Sequence, residues 1–224
     1  ELETCRLEVA DGIATVTLAR PPVNAQNRRM REELIWLFDT LSDRDDVRVV
    51  ILTAKGKVFS AGADIKERRT LVKEPGDYLS HNRITRESFN VLMDCTKPVI
   101  CAVNGAAIGA GCSLMLYSDI MIASENAYIR MPEIDVGLAG GGKMMMEHFG
   151  RSWARMIYFT GRDVPASTID DFIRALGLTD KVVELVNPLR DPVASAQVRQ
   201  DVRSYPLMCI VNLDATHIEA DDYI

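Results

Sequence analysis

Residues Phe59-Ser60-Ala61-Gly62-Ala63-Asp64 form a small-residue turn directly after the apolar run 47–53. A second turn, Gly105-Ala106-Ala107-Ile108-Gly109-Ala110-Gly111, directly follows the apolar run 99–103. Glycine and alanine let a ligand approach the backbone, and a helix that begins at such a turn favours negative charge. Two turns of this kind can hold two backbone N–H groups around one oxygen, which stabilises an oxyanion without using side chains.

The sequence around these turns predicts an α/β fold. Residues 7–18 contain two short apolar stretches around a tight Asp-Gly turn and predict a β-hairpin. Apolar residues at helical spacing predict an amphipathic helix over 30–41. The runs 47–53 and 99–103 are nearly continuous apolar strands, which is typical of strands covered on both faces. Each strand is followed by a small-residue turn and then by a helix. This repeated order favours some parallel pairing of the strands.

The other segments are assigned from their local patterns. Residues 66–82 are charged and contain Pro75 and Gly76, so they are predicted to form a mobile surface segment that could act as a lid. A helix is predicted over 79–93. The remaining predicted elements are a short apolar helix over 109–117, strands over 120–123 and 128–131, and helices over 143–149 and 153–160.

Length and composition predict one main domain with a C-terminal appendage. A chain of 224 residues with 47% hydrophobic content can bury one substantial core. We predict a core over 1–165 and a C-terminal helical covering or oligomerisation segment over 166–224. No apolar run reaches the roughly 18 to 20 residues of a membrane span, and no signal-like start is seen, so a cytoplasmic protein without a membrane partner is expected. The net charge of −6 argues against a nucleic-acid partner.

The cysteines and histidines do not predict a metal site. The five cysteines are odd in number and lack metal-type spacing, and the three histidines lie far apart. Most of the cysteines have apolar neighbours and are predicted to be reduced and buried. The alternative is a nucleophilic Cys112 beside the second turn, but no histidine stands near it in sequence to lower its pKa.

Three motifs carry a resemblance to a known family. Residues 57–67 (KVFSAGADIKE), residues 97–105 (KPVICAVNG) and residues 132–138 (PEIDVGL) closely resemble the crotonase (enoyl-CoA hydratase/isomerase) superfamily. The match runs over about residues 7–165. This resemblance implies a spiral of ββα units, assembly as a homotrimer or a dimer of trimers, and a coenzyme A thioester substrate. No permanently bound cofactor is expected, because coenzyme A arrives as part of the substrate.

The resemblance also implies functional positions. It places the two oxyanion-hole N–H groups on Ala61 and Ala110 and an acid/base carboxylate on Glu133. Arg28, Arg29, Lys55, Lys57 and Lys66 are candidates for contact with the coenzyme A phosphates. The substrate-binding and coenzyme A-binding positions that it implies are Val23, Ala25, Ala63, Asp64, Ile65, Gly109, Pro132, Leu138 and Gly141. Apart from the resemblance, the carboxylate of Asp64 is predicted to cap a helix or accept backbone N–H bonds.

One position departs from the family pattern. Typical hydratases carry a glutamate at the start of the helix after the second turn and another in the Pro-Glu motif, whereas this chain has Ser113 and Glu133. Hydration needs water activation and proton delivery, which two carboxylates commonly share. A serine hydroxyl is too weak a base at neutral pH and can only position a water or a substrate group.

This departure leaves several reactions open. Glu133 alone could move a double bond by taking a proton from the α-carbon and returning it at the γ-carbon, and this isomerisation is slightly favoured. A hydratase with Glu133 as its single acid/base group would be slower, by about 10²-fold to 10⁴-fold. A catalytically weak coenzyme A-binding protein is a further alternative. Thioester hydrolysis or decarboxylation is another, and it would use a second acid from Glu125, Asp135 or Glu147.

Overall fold

The computed structural model describes residues 1–71, 73–138 and 140–169. In these ranges strands and helices alternate, which confirms the α/β prediction. The strands are β1 (Cys5–Ala10), β2 (Ile13–Leu18), β3 (Val49–Ala54), β4 (Val58–Ser60), β5 (Val99–Val103), β6 (Ala106–Ile108), β7 (Ile120–Ala123), β8 (Tyr128–Arg130) and β9 (Val164–Pro165). The helices are α1 (Arg28–Ser42), α2 (Ile65–Leu71), α3 (Pro75–Asp94), α4 (Ala110–Leu116), α5 (Gly142–Thr160) and a 3-10 helix over Pro132–Val136.

Two sheets organise these elements. The larger sheet has the strand order β1-β2-β3-β5-β7, and the smaller one has the order β4-β6-β8-β9. Parallel pairs join β2 to β3, β3 to β5, β5 to β7, β4 to β6 and β6 to β8. The successive pairs β3 and β4, β5 and β6, and β7 and β8 each give one strand to each sheet and lead into a helix. The chain therefore winds as a spiral of ββα units.

The parallel pairing of β4 with β6 brings the two small-residue turns together. Ser60 is paired with Ala107, so both strands end at the same edge of the smaller sheet. Each strand leads directly into its turn, and the turn after β6 leads into α4. The fold thus places side by side two segments that lie more than 40 residues apart in the sequence.

The amphipathic first helix forms as the sequence predicts. The side chain of Asn27 accepts a hydrogen bond from Met30 N at 2.9 Å and caps α1. The apolar stripe of α1 is fully buried in the core beside the larger sheet. Its core residues are Met30, Leu34, Leu37, Phe38 and Leu41.

The stretch 66–82, predicted as a mobile surface segment, does lie at the surface, and most of it is helical. Asp64 Oδ1 accepts hydrogen bonds from the N–H groups of Lys66 and Glu67, at 3.1 Å each, and caps α2. Pro75 stands in the first turn of α3, and Glu74 and Asp77 form a capping box there. The charged and helix-breaking residues that suggested a loop are the start signals of two helices.

The structure also tests the predictions for the two helices over 143–160 and for the cysteines. The helices predicted over 143–149 and 153–160 join as α5, which is broken at Gly150 by non-helical backbone angles of φ 71° and ψ 166°. The four described cysteines are buried. Burial raises the pKa of the Cys112 thiol, which opposes the alternative of a nucleophilic Cys112. Cys209 and most of the predicted C-terminal segment 166–224 lie outside the described residues.

A buried carboxylate fastens the N-terminal residues to α1. Glu33 accepts hydrogen bonds from the N–H groups of Glu3, Thr4 and Cys5 and from the Thr4 hydroxyl, at 2.7 to 3.0 Å. Burial alone would raise the pKa of Glu33, but the Thr4 hydroxyl and the three N–H groups hold it below its ordinary value. The sequence analysis did not single out this residue.

We expect Glu33→Ala to lower the free energy of unfolding by about 3 kcal/mol, because it leaves buried donors without an acceptor. Glu32→Ala, which removes only the exposed ion pair with Arg28, should cost about 0.5 kcal/mol. Urea denaturation at pH 7 measures both. The Glu33 contribution is present above the carboxyl pKa of the unfolded chain and is lost as the pH falls through the lower folded pKa. Equal losses in the two variants would contradict this account.

Two features are absent from the described part of the chain. In that part, no helix combines the length and the apolar character that crossing a membrane requires. The same residues contain no group of three or more histidine, cysteine, aspartate or glutamate side chains that could hold a metal ion.

Candidate active site

The two small-residue turns touch at their glycines. A Cβ atom on Gly62 would stand 3.3 Å from Ala110 N, and Gly62 also has a φ of 85°. A Cβ on Gly111 would stand 2.3 Å from Ser60 O, which no side chain tolerates. Glycine is therefore required at both positions, because only bare backbone lets the first turn approach the N-terminal end of α4.

The loop that contains Val23 and Ala25 pairs with the first turn. Ala61 N donates to Val23 O at 2.9 Å, and Gln26 N donates to Gly62 O at 2.7 Å. Asp64 N then donates to Gln26 O at 3.0 Å, which makes Gln26 and Ala63 a parallel bridge. The structure thus brings together the two segments that the resemblance associates with coenzyme A.

This pairing changes which backbone N–H group can face a ligand. The Ala61 N–H is engaged by Val23 O, so it is not directed at a substrate oxygen, and the prediction of Ala61 as a donor requires correction. The parallel bridge uses the carbonyl of Gly62 and the N–H of Asp64, which leaves the N–H of Ala63 on the opposite side. Within the described residues, the Ala63 N–H has no acceptor.

The second turn presents the N–H of Ala110. Ala110 is the first residue of α4, and the first N–H groups of a helix have no acceptor within it. The preceding Gly109 N donates to Arg130 O at 2.8 Å, which ties the turn to β8. Gly109 adopts φ 52° and ψ −117°, a conformation that favours glycine. Like Ala63, Ala110 has no N–H acceptor in the described part of the chain.

Glu133 lies on the 3-10 helix that follows β8. Its Oε1 lies 3.1 Å from the point where a Cβ on Gly109 would stand, so the carboxylate is next to the second turn. Its Oε2 is buried and has no hydrogen-bond partner among the described residues. Burial raises the pKa of Glu133 above its ordinary value of 4.5. A partly desolvated carboxylate with one unpaired oxygen is suited to accept a proton.

Glu133 opens onto a cavity of about 460 Å³. Of the predicted substrate-binding residues, Leu138 and Gly141 line this Glu133 cavity, and Pro132 begins the helix that carries Glu133. The opposite wall comes from α5. This helix was predicted, but its role in the cavity was not, because its residues are ordinary helix positions without a motif. The other lining residues are Ile134, Gly140, Gly142, Met146, Ala154, Arg155, Tyr158 and Phe159.

Ser113, on α4, lies next to the lining residue Gly141. Ser113 is 6% exposed, and its Oγ lies 3.4 Å from the point where a Cβ on Gly141 would stand. Tyr158 Oη lies 2.9 Å from that point and donates a hydrogen bond to the Gly140 carbonyl. Burial, and then the Glu133 charge, raise the pKa of the Tyr158 phenol.

The other candidate acids stand outside this cavity. Asp135 is exposed and pairs with Arg130 at 3.2 Å, and the exposed Glu147 pairs with Lys143 at 3.5 Å. Glu125 is exposed. Because none of the three lines the cavity, the described residues give no support to a second acid from this set.

The charged groups of the predicted coenzyme A region divide into two sets. Asp64 pairs with Arg20 at 2.7 Å, and backbone N–H bonds led by that of Glu67, with Arg20, lower its pKa, so its side chain has a structural role. Ile65, an uncharged residue that was also predicted to bind coenzyme A, is exposed at the start of α2. Arg28 and Arg29 form ion pairs with glutamates. The exposed side chains that form no ion pair with a described residue are Lys55, Lys57 and Lys66.

The chain is similar in sequence to known proteins. The family model for Enoyl-CoA hydratase/isomerase matches residues 8–198. A (7aS)-7a-methyl-1,5-dioxo-2,3,5,6,7,7a-hexahydro-1H-indene-carboxyl-CoA hydrolase of Rhodococcus jostii is 36% identical over 162 residues, which cover 72% of this chain and 62% of that protein. A short-chain-enoyl-CoA hydratase of Clostridium acetobutylicum is 35% identical over 189 residues, with 82% and 70% covered.

A solved structure shares the architecture. The enoyl-CoA hydratase from Bacillus anthracis superposes with a TM-score of 0.77 at 25% identity, covering 90% of this chain and 83% of that one. The chain spans about two thirds of the length of the curated relatives that it matches. The matched range, the spiral of ββα units and the two relatives above 30% identity together show that the chain belongs to the enoyl-CoA hydratase/isomerase family.

Proposed function

We propose that the protein acts on a coenzyme A thioester by forming its enolate. In this proposal Glu133 removes a proton from the α-carbon, and the N–H groups of Ala63 and Ala110 hold the thioester oxygen. The observation that carries the proposal is the buried Glu133 Oε2, which has no described hydrogen-bond partner and lies next to the turn that presents Ala110.

The charge balance of the reaction fits these groups. Loss of the α-proton places negative charge on the thioester oxygen, and two fixed N–H donors stabilise that charge where it develops. The contact between Gly62 and Ala110 supports a shared site for the two donors. The raised pKa of Glu133 makes its carboxylate a stronger base than an exposed glutamate once it is ionised.

Within this chemistry, we favour migration of a double bond over hydration. Glu133 is the only carboxylate among the described residues that line the cavity, and one carboxylate is sufficient to carry a proton from the α-carbon to the γ-carbon. Hydration also needs a group that activates water, and the hydroxyl of Ser113 is too weak a base for that task.

Hydrolysis of a thioester substrate is the second candidate function. The Rhodococcus jostii relative is named a CoA hydrolase, and Ser113 could position a water beside Glu133. An inert coenzyme A-binding protein is less well supported, because a buried carboxylate oxygen without a described partner costs stability that an inert protein has no reason to retain.

Parallel assays with 3-hexenoyl-CoA and crotonyl-CoA distinguish these functions. We expect conversion of 3-hexenoyl-CoA to the 2-enoyl isomer, with addition of water to crotonyl-CoA slower by about 10²-fold to 10⁴-fold. Release of free coenzyme A, measured with a thiol reagent, would instead indicate hydrolysis. Faster water addition than double-bond migration would contradict the isomerase preference, and binding without any turnover would contradict catalysis.

A further inference from the structure

Two hydroxyl groups approach one glycine at the wall of the Glu133 cavity. A Cβ on Gly141 would stand 2.9 Å from Tyr158 Oη and 3.4 Å from Ser113 Oγ. Both distances start from the same point, so the two oxygens lie no farther apart than their sum, about 6.3 Å. Two O–H···O bonds of about 2.8 Å each span up to about 5.6 Å, so one ligand oxygen can join the two hydroxyls over most of the separations that these distances allow. Gly141 adds no side chain of its own to this space, and the third nearest atom is Met131 Cε at 3.5 Å from the same point.

The two hydroxyls offer different hydrogen-bonding groups. Tyr158 donates its hydrogen to the Gly140 carbonyl, so its oxygen has only acceptor lone pairs left for a ligand. Ser113 Oγ forms no hydrogen bond with a described residue, so its hydrogen is free to be donated. Burial raises the pKa of the Tyr158 phenol, which keeps this group neutral around pH 7. The pair therefore presents one donor and one acceptor without charge.

Tyr158 lines the cavity, and Ser113 lies next to the lining residue Gly141. The cavity is also lined by apolar side chains that suit a hydrocarbon chain, namely Ile134, Leu138, Met146 and Phe159. An unsubstituted acyl chain would leave the Ser113 donor unmatched beside these groups, which costs free energy. A hydroxyl substituent can accept from Ser113 and donate to Tyr158, whereas a keto oxygen can only accept.

We propose that Tyr158 is a specificity-determining residue that, together with Ser113, binds a hydroxyl group on the acyl chain of the substrate. The inference rests on the proposed function, because it takes the Glu133 cavity as the acyl site. It narrows the substrate class to hydroxylated acyl-CoA thioesters and gives Ser113 a role in recognition that needs no basicity.

Calorimetric titration tests this inference without turnover. The ligands are butyryl-CoA, 3-hydroxybutyryl-CoA and 4-hydroxybutyryl-CoA, titrated into Glu133→Gln protein and into the same protein carrying Tyr158→Phe or Ser113→Ala. We expect one hydroxylated ligand to bind roughly tenfold more tightly than butyryl-CoA. Either substitution should reduce this preference to about threefold or less. Tyr128→Phe, a matched change outside the cavity, should keep the full preference.

The outcomes separate this inference from the proposed function. Equal affinities for the three ligands, or a preference that survives Tyr158→Phe, would overturn the hydroxyl site while leaving enolate chemistry intact. Absence of binding by every coenzyme A thioester would overturn both proposals. Circular dichroism of each variant confirms that a changed affinity does not come from unfolding.

Discussion

Glu133→Gln should lower kcat for the processing of an acyl-CoA thioester by about 10²-fold to 10⁴-fold, the range expected for loss of an acid/base group. Glutamine has nearly the same size but cannot accept the α-proton. The carboxylate lies beside Gly109, and its Oε2 has no described partner, so the substitution breaks no described hydrogen bond of that oxygen. We therefore expect the thermal stability to be unchanged or higher.

A matched control and the pH profile make this result specific. Glu147→Gln removes an exposed carboxylate of α5 that pairs with Lys143, and it should leave kcat unchanged. Because Glu133 must be ionised to act as a base, kcat/KM should fall as the pH is lowered through its pKa. Burial raises that pKa, so the acid limb of the profile should have its midpoint above 4.5. Full turnover by Glu133→Gln would rule out this assignment.

Ala110→Pro should lower kcat by about 10²-fold to 10³-fold, which is the usual cost of losing one oxyanion donor. Proline removes the N–H that we assign to the thioester oxygen. It is tolerated at the first position of a helix, where no intrahelical acceptor is lost, and Ala110 occupies that position of α4. Steady-state kinetics and circular dichroism on the same preparation separate a catalytic loss from unfolding.

Ala110→Gly is the matched control for the backbone donor. Glycine keeps the N–H and removes only one methyl group, so we expect kcat within about threefold of the parent protein. A similar large loss in both variants would show that the side chain or the rigidity of the turn, rather than the N–H group, is what matters. Unchanged turnover in Ala110→Pro would remove Ala110 from the oxyanion site.

Much of the fold could be predicted from local patterns, and the errors have identifiable causes. Alternation and periodicity located the hairpin, α1 and the buried strands β3 and β5, because burial constrains those residues directly. The stretch 66–82 was predicted as a mobile surface segment and not as helices, since Pro75 and Gly76 are helix breakers in most positions. At the first turn of α3 the same proline favours a helix, and only the structure shows that it lies there.

The parts of the candidate site that a local sequence motif marks could be predicted. The parts that depend on how distant segments pair or pack could not. Small residues marked both turns, and the resemblance marked Glu133. The choice between Ala61 and Ala63 depends on the register of pairing with Val23 and Gln26, which no local pattern reports. Tyr158 faces the cavity through the packing of α5, so no motif indicates it. The oligomer, a trimer or a dimer of trimers, stays a prediction.

Exchange of α-protons with deuterium tests the central claim most directly. Butyryl-CoA has no double bond to move, but an enzyme that forms a thioester enolate should exchange its α-protons in D₂O, which proton NMR detects. We expect exchange with the parent protein, and rates lower by about 10²-fold or more with Glu133→Gln and Ala110→Pro. Binding of butyryl-CoA without exchange, or exchange that both substitutions leave unchanged, would contradict enolate formation by Glu133 and the paired backbone donors.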